Sequence, residues 1–413
     1  MRSRRASDAA DATATLGSPR RHARSERRHP LLSRLGLVAL AVVLVLAAGG
    51  VLAYRHIQGN VQRHNITSFL GGDRPAGAAA PIDPKAGQAL NFLVLGSDSR
   101  AGANNDNSGI SGMRADTTML VHVAADRSRL EVVSIPRDTL LDIPACTLPG
   151  GTQTRAERGA MVNSAFSIGG QTGDVGAAAA CSIRTVEKLT GIYVDDFVVV
   201  DFAGFTRVVD ALGGVPMDVP QAIDDKEADV KLAAGCQVLN GHDALGFARV
   251  RKSVGNGSDI SRIGRQQDLV AAIAREALGK NLLTNPPALY RFLDATTKTL
   301  VTGPEIGQLS TMAGLANSLR RIAPENIVFT TMPFESVGPR VRPAPAAAEV
   351  WAALRADKPI PGAVTAEGTA PAASAQATAG TSGGRSHASA TPAGAAATAA
   401  PGAAASPAPV CRK

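Results

Sequence analysis

Polar and apolar positions along the 413-residue chain fall into distinct regimes. Residues 1–34 mix Arg, Ala, Ser and Asp with almost no apolar period. Such a segment buries too little apolar surface to fold, and it reads as a basic, disordered cytoplasmic tail. Next, Leu35 to Tyr54, LGLVALAVVLVLAAGGVLAY, carries no charge, and a helix needs about 20 apolar residues to cross a bilayer. A cleaved export signal has an apolar core of only about 7–15 residues. Residues 35–54 are therefore read as a retained signal-anchor, a single transmembrane helix. Gly, Pro and Ala then cluster in GGDRPAGAAAPIDP, so 55–88 reads as an extracytoplasmic stalk. At the far end, 359–413 reads as an Ala/Pro/Ser/Thr-rich disordered tail.

Between stalk and tail, 89–358 switches between strand and helix periods. LNFLVLGS is a buried-strand run, and TTMLVHVAADRSRLEVVSIP is two strands around a polar turn, hence a hairpin. DDFVVVDF predicts another strand, AGFTRVVDALGG a helix closed by Gly, GGVPMDV a short strand and PENIVFTTMP a late one. A helix beginning near Ser261 keeps Leu269, Val270, Ile273 and Ala277 on one side. This mixture predicts an α/β fold, a layered domain around a mixed sheet.

Charge narrows the function. The net +8 looks like a nucleic-acid signal until it is divided: residues 1–36 carry +6 and 361–413 carry +2, so the body is neutral. A nucleic-acid-binding domain would hold its excess charge in that body. The Arg-rich end stays inside by the positive-inside rule, which puts everything after Arg55 outside the cell membrane. Disulfides are permitted there. Cys146 and Cys181 fall in turn-rich sequence and are the first candidates for a bridge, which leaves Cys236 without an assigned partner.

Three constellations carry candidate chemistry. In LVLGSDSRAG and MRADTTMLV, Asp98 and Arg100 follow one strand and Asp116 precedes the next. Two such carboxylates suit a hard cation such as Mg²⁺; they equally suit turns and caps. Arg137, in VVSIPRDTLLDIP, sits at a strand end, free to enter a cleft or to pair with Asp138 or Asp142. In LGFARVRKSVGNGSDISRIGRQQ, Arg249 and Arg251 share a face if extended. Arg262, Arg265 and Gln266 share one on a helix. Converging guanidiniums match phosphate oxygens, although arginine clusters are also common as solvated faces. The chain contains no GxxxxGK[ST] or HExxH, and no GxSxG falls within 89–358; His122 and His242 read as structural.

In order, NFLVLGSDSR, RADTTMLVHV, VVSIPRDT, MVNSAFSIGG, VDFAGFTRVVDALGGV, LNGHDALGFARVR and DISRIGRQQ resemble the LytR-CpsA-Psr family of cell-wall polymer ligases. The resemblance implies an α/β/α domain over 89–358 holding a polyprenyl-pyrophosphate lipid in an apolar pocket. It implies an enzyme that moves a glycopolymer from that carrier to peptidoglycan as a phosphodiester, assisted by Mg²⁺. By position it implies metal association at Asp98 and Asp116, and pyrophosphate binding at Arg100, Arg137, Arg249, Arg251, Arg262, Arg265, Gln266 and Gln267. Arg137, Arg249 and Arg251 are its implied catalytic residues. Ser164 stands where many members carry His, so no role transfers to it. The alternatives are a pyrophosphate hydrolase, a lipid-binding scaffold and, against the neutral body and outward topology, a transcriptional regulator.

Overall fold

Apolar runs of six to nine residues pair into the sheet that organises the domain. The computed structural model describes residues 30–77, 87–97, 113–250, 259–279, 285–362 and 411. It falls into two units, 1–54 and 55–413. The first contains residues 30–54 of helix α1 (Pro30–Asn60), which from Arg34 is long and apolar enough to cross a membrane and has none of its apolar window buried.

The second unit contains, in chain order, β1 (Gln62–Arg63), α2 (Thr67–Leu70), β2 (Leu90–Ser97), β3 (Ala115–Val123), β4 (Leu130–Ile135), β5 (Leu140–Ile143) and β6 (Glu157–Met161). After them come α3 (Val162–Gly169), α4 (Val175–Thr190), β7 (Asp196–Asp201), α5 (Phe202–Ala211) and β8 (Val215–Val219). Then follow β9 (Ile223–Asp225), β10 (Val230–Leu232), β11 (Gly235–Leu239), α6 (Gly241–Arg249), α7 (Asp259–Gly279) and α8 (Pro286–Thr297). The last are β12 (Leu300–Thr302), α9 (Leu309–Leu319), β13 (Ile327–Thr331), β14 (Phe334–Val337), β15 (Arg340–Pro343) and α10 (Ala347–Arg355). The main sheet has the order β1-β12-β7-β2-β3-β4-β13. It is mixed: β2 runs parallel to β7 and antiparallel to β3, while β13 runs parallel to β4.

Helix α4 shows how local chemistry sets these elements. Asp174 caps its first turn, accepting from the Ala177 N–H at 2.8 Å, which satisfies an otherwise orphaned donor. Gly191 ends it at φ +65°, a left-handed turn that glycine adopts without a Cβ penalty. The side chains of Ala178, Ala179 and Ala180 are buried together with Leu93, Leu95, Phe166 and Phe197 in the largest core. A second core joins α5, α6 and α7 to the hairpins β8–β11 and β9–β10 through Val209, Met217, Leu239, Phe247 and Leu269. That two-core arrangement leaves a seam between the sheet edge and the smaller lobe.

The structure departs from the sequence reading in three places. The expected stalk is built into the domain over its first part. Ile57, Val61, Ile66 and Leu70 are buried, β1 adds parallel to β12, and Arg74 Nε donates to both Glu187 oxygens at 3.1 Å. These apolar positions are spaced among polar neighbours, which hides them from a search for continuous runs. Cys181 lies inside helix α4 rather than in a turn, yet it is bonded to Cys146. Cys236 is bonded to Cys411, so the end of the expected tail is tied to β11; residues 363–410 lie outside the described residues.

At the edge of β7 away from the lobe, burial pushes the Asp195 carboxyl up to about 6. A raised carboxyl favours folding while neutral; that contribution is present below about 3.8 and lost as pH rises through about 6. Asp195→Asn keeps an acceptor for the Asn91 N–H, which Asp195 Oδ2 now takes at 2.7 Å. Its stability relative to wild type should therefore improve by about 1–3 kcal/mol between pH 4 and pH 7 in urea titrations. A pH-independent difference would contradict the burial argument. For the buried bridge, which spans 35 residues, the double variant Cys146→Ser/Cys181→Ser should lose about 2–5 kcal/mol in the same assay.

Candidate functional site

Strand register places the site. β2 and β7 end together, with Ser97 opposite Asp201, and β3 begins there, with Ala115 opposite Ser97 across a bulge. β4 runs parallel to β2 and leads into the turn Pro136–Asp138. One sheet edge thus presents Asp116, Arg137 and Asp201, in the position where open α/β sheets bind ligands. Close packing there depends on Gly96, because a Cβ at that position would stand 3.0 Å from the Thr117 Cβ.

Facing this edge across the seam are α5, α6 and α7, and together they enclose a cavity of about 580 Å³. Much of its wall is apolar, including Met119, Phe202, Phe205, Leu245, Leu269 and Ile273. Its polar lining includes Asp116, Arg137, Arg249, Arg262 and Gln266. Arg137 Nη1 donates to Asp116 Oδ1 at 2.9 Å, and its Nε stands 3.8 Å from Asp138 Oδ2. The Thr117 hydroxyl donates to Gln266 Oε1 at 3.2 Å, tying β3 to α7 across the cavity. The Arg249 guanidinium lies 5.2 Å from the centre of the Phe202 ring, so a cation sits over an apolar wall. Two acidic lining residues have backbone duties: Asp201 caps α5 through the Gly204 N–H at 2.6 Å, and Asp225 accepts from the Glu227 and Ala228 amides.

Among the sequence-predicted residues, the structure brings Asp116, Arg137, Arg249, Arg262 and Gln266 to one cavity. Arg137 pairs with Asp116 and Asp138, whereas Asp142 accepts from the Gly159 N–H at 3.1 Å. Arg249 is the last residue of helix α6, not part of an extended segment. Arg265 and Gln267 are turned away from the cavity. Arg265 Nη2 donates to the Val250 carbonyl, and burial lowers its pKa while Asp225 acts in the opposite sense. Gln267 Nε2 donates to Ser134 Oγ and Thr330 O, both at 2.9 Å, locking α7 to the sheet. Asp98, Arg100 and Arg251 lie outside the described residues. His122 is buried away from the cavity, within 2.7 Å of Asn91 Oδ1, and burial holds its pKa down.

Sequence reasoning did not select Asp201 or Phe202 as lining residues. Their signal was local: an Asp at the junction of a strand and a helix, where side chains of both elements meet. Among the described residues, the only cluster of three His, Cys, Asp or Glu ligands is Asp218, Cys236 and Cys411, and its two sulfurs are consumed in a disulfide.

Residues 54–353 match the LytR_cpsA_psr family, and the chain belongs to that family. It is 31% identical over 327 residues to the cell wall biosynthesis protein LcpA of Corynebacterium glutamicum, covering 75% of this chain but 61% of that one. It therefore spans about three-fifths of that relative's length. It is 26% identical to the polyisoprenyl-teichoic acid–peptidoglycan teichoic acid transferase TagT of Bacillus subtilis, covering 77% of this chain and 92% of that one. Among solved structures, a Streptococcus agalactiae protein shares the fold with a TM-score of 0.51 and 18% identity, covering 67% of this chain and 91% of that one.

The two neighbouring glutamines should separate cleanly. Gln267→Ala leaves Ser134, Thr330 and Thr331 without their shared donor, so it should cost about 1–3 kcal/mol of stability. Gln266→Ala, on the cavity side, should change the melting temperature far less. Equal losses in thermal denaturation would contradict the division of labour along α7.

Proposed function

We propose that this chain is a membrane-anchored phosphotransferase that moves a glycopolymer from a polyprenyl-pyrophosphate carrier to peptidoglycan, leaving a phosphodiester. The observation that carries this reading is the composition of one cavity, with long apolar walls and a polar lining of Arg137, Arg249, Arg262 and Gln266. An amphiphile with a long apolar chain and a diphosphate matches both parts. Guanidiniums suit the charged part, because their planar fork meets phosphate oxygens two at a time. The family membership and the transferase name of TagT support the same class of reaction. The Arg-rich N-terminal segment would stay cytoplasmic and the domain face outward, where peptidoglycan is found.

An acceptor hydroxyl attacks the sugar-bearing phosphorus, the bond from that phosphorus to the bridging oxygen breaks, and the hydroxyl proton passes to solvent or a base. The products are a sugar phosphodiester on peptidoglycan and polyprenyl monophosphate. Arg137 stands where negative charge grows on the bridging and leaving oxygens, and fixed charge in a dry cavity stabilises that growth. Its pairing with Asp116 holds the guanidinium at the sheet edge before substrate arrives. Arg249, over Phe202, and Arg262 would hold the second phosphate, and the apolar walls exclude water that would divert the reaction to hydrolysis.

The family resemblance adds Mg²⁺. Asp116 offers the hard oxygen donor such an ion takes, and Asp98, which follows directly on Ser97, would be the second carboxylate. When bound, the ion would supply further charge neutralisation at the pyrophosphate.

The test is the purified full chain in detergent with a polyprenyl-pyrophosphoryl sugar, Mg²⁺ and a peptidoglycan oligomer, read by mass spectrometry. A phosphodiester adduct is expected, falling about 10²–10³-fold in Arg137→Ala, and chelation by EDTA should suppress it until Mg²⁺ is restored. Free sugar phosphate without adduct would instead make the chain a hydrolase. Undiminished transfer in Arg137→Ala would refute the site assignment.

A further inference from the structure

The Arg137 guanidinium is approached by carboxylates from two sides. On the cavity side, Asp116 accepts from Nη1 at 2.9 Å. On the other, Asp138 Oδ2 stands 3.8 Å from Nε, too far for a hydrogen bond. The second oxygen of Asp138 is engaged elsewhere, accepting from Arg340 Nη1 at 3.0 Å. Arg340 opens β15 on the hairpin β14–β15. The backbone fixes that hairpin beside the Arg137 turn: Thr139 pairs with Val341 in an isolated parallel bridge, and the Val341 N–H donates to the Asp138 carbonyl at 3.4 Å. Two segments separated by 202 positions in sequence are thus held in register next to the cavity.

This geometry decides where Arg137 points. Asp138 is the next residue on the same turn, and its side chain is only 18% exposed. Without a competing partner, a poorly solvated carboxylate so placed would swing onto the Arg137 Nε–H. It would then draw the guanidinium off the cavity and cancel part of its charge. Arg340 prevents this by occupying the other oxygen at hydrogen-bonding distance. Its own side chain is 41% exposed, so it serves as a solvated counter-charge and not as a lining residue of the cavity.

We infer that Arg340 is a positioning residue for the pyrophosphate site: by restraining Asp138, it keeps the Arg137 guanidinium directed into the cavity, where a phosphate would meet it. The inference rests on the reading of Arg137 as a pyrophosphate ligand and extends that site to a residue outside the cavity lining. A purely structural role for the hairpin predicts something different, since lost docking cannot be repaired by changing Asp138.

The test uses the full chain in detergent, titrated calorimetrically with geranylgeranyl pyrophosphate, with melting temperatures measured in parallel. Arg340→Ala should weaken binding about threefold to tenfold, the scale of a partly exposed charge pair, and Arg340→Lys should recover most of it. Asp138→Asn alone should bind at least as well as wild type. In the double variant Arg340→Ala/Asp138→Asn, affinity should return to within about twofold of wild type, because the carboxylate that Arg340 restrained is gone. Wild-type affinity in Arg340→Ala, or a defect that Asp138→Asn fails to relieve, overturns the inference while leaving the site intact. Failure of the site itself looks different: wild type binds no pyrophosphate, or Arg137→Ala binds it unchanged, and both readings fall together.

Discussion

A guanidinium held at 15% exposure beside an apolar cavity must be neutralised without being withdrawn from it, and much of this domain answers that constraint. Desolvating an unpaired charge is costly, so Arg137 needs Asp116 from the neighbouring strand. Asp116 reaches it only because β3 starts where β2 and β7 stop, a relation fixed by the pairings Ser97–Ala115 and Ser97–Asp201. A one-residue slip of β3 would turn Asp116 to the other face of the sheet. The dense core beneath, with Leu93, Leu95, Leu120 and Phe197 fully buried, makes such a slip prohibitive. Packing of the sheet and electrostatics of its edge are therefore one problem with one solution.

Helix α7 shows how the opposite wall is held to the same tolerance. Its side chains divide by direction: Gln266 meets Thr117 at the cavity, Gln267 grips Ser134 and Thr330 on the sheet, and Arg265 reaches back to Val250. Leu269 fills the smaller lobe's core. The helix is thus clamped to the sheet, to the end of α6 and to the lobe within the five residues Arg265 to Leu269. A cavity between two cores keeps its shape only if such a brace spans them, since neither core alone encloses it.

The strands around the site were legible in the sequence because burial on both faces leaves continuous apolar runs such as LNFLVLGS. Helix α5 was legible from its Gly-terminated period. The set of arginines was legible as chemistry, but its division was not. Arg262 and Arg265 both sit on α7 at helical spacing, and only the location of Val250 decides which one leaves the cavity. Gln266 and Gln267 differ by one step of helical rotation, finer than any spacing rule resolves. The built-in segment 57–70 escaped because its apolar residues are isolated and because its strand, Gln62–Arg63, pairs with β12, which is remote in sequence. Cys236 found its partner across 175 positions, and Arg340 finds Asp138 across 202. Contacts of that range leave no local pattern to read.

Under the proposed function, affinity and chemistry would fall to different parts of the cavity. Apolar burial contributes about 0.8 kcal/mol per methylene, so a long polyprenyl chain would supply most of the binding free energy from the wall of Met119, Phe205, Leu269 and Ile273. Each arginine would add less, about 1 kcal/mol, because each phosphate contact must displace hydration and compete with Asp116. In the proposed reaction their value would lie in register: a chain seated in the apolar wall could slide, and a fixed guanidinium at the sheet edge would stop it with the scissile phosphorus at one position. A lipid anchored by its tail and aligned by its charge would use the binding energy of its remote, unreacting part to hold the reacting part in place. That arrangement demands an arginine whose direction is set in advance. It explains why Arg137 is bracketed by two carboxylates, one of them itself restrained, instead of being left mobile in solvent.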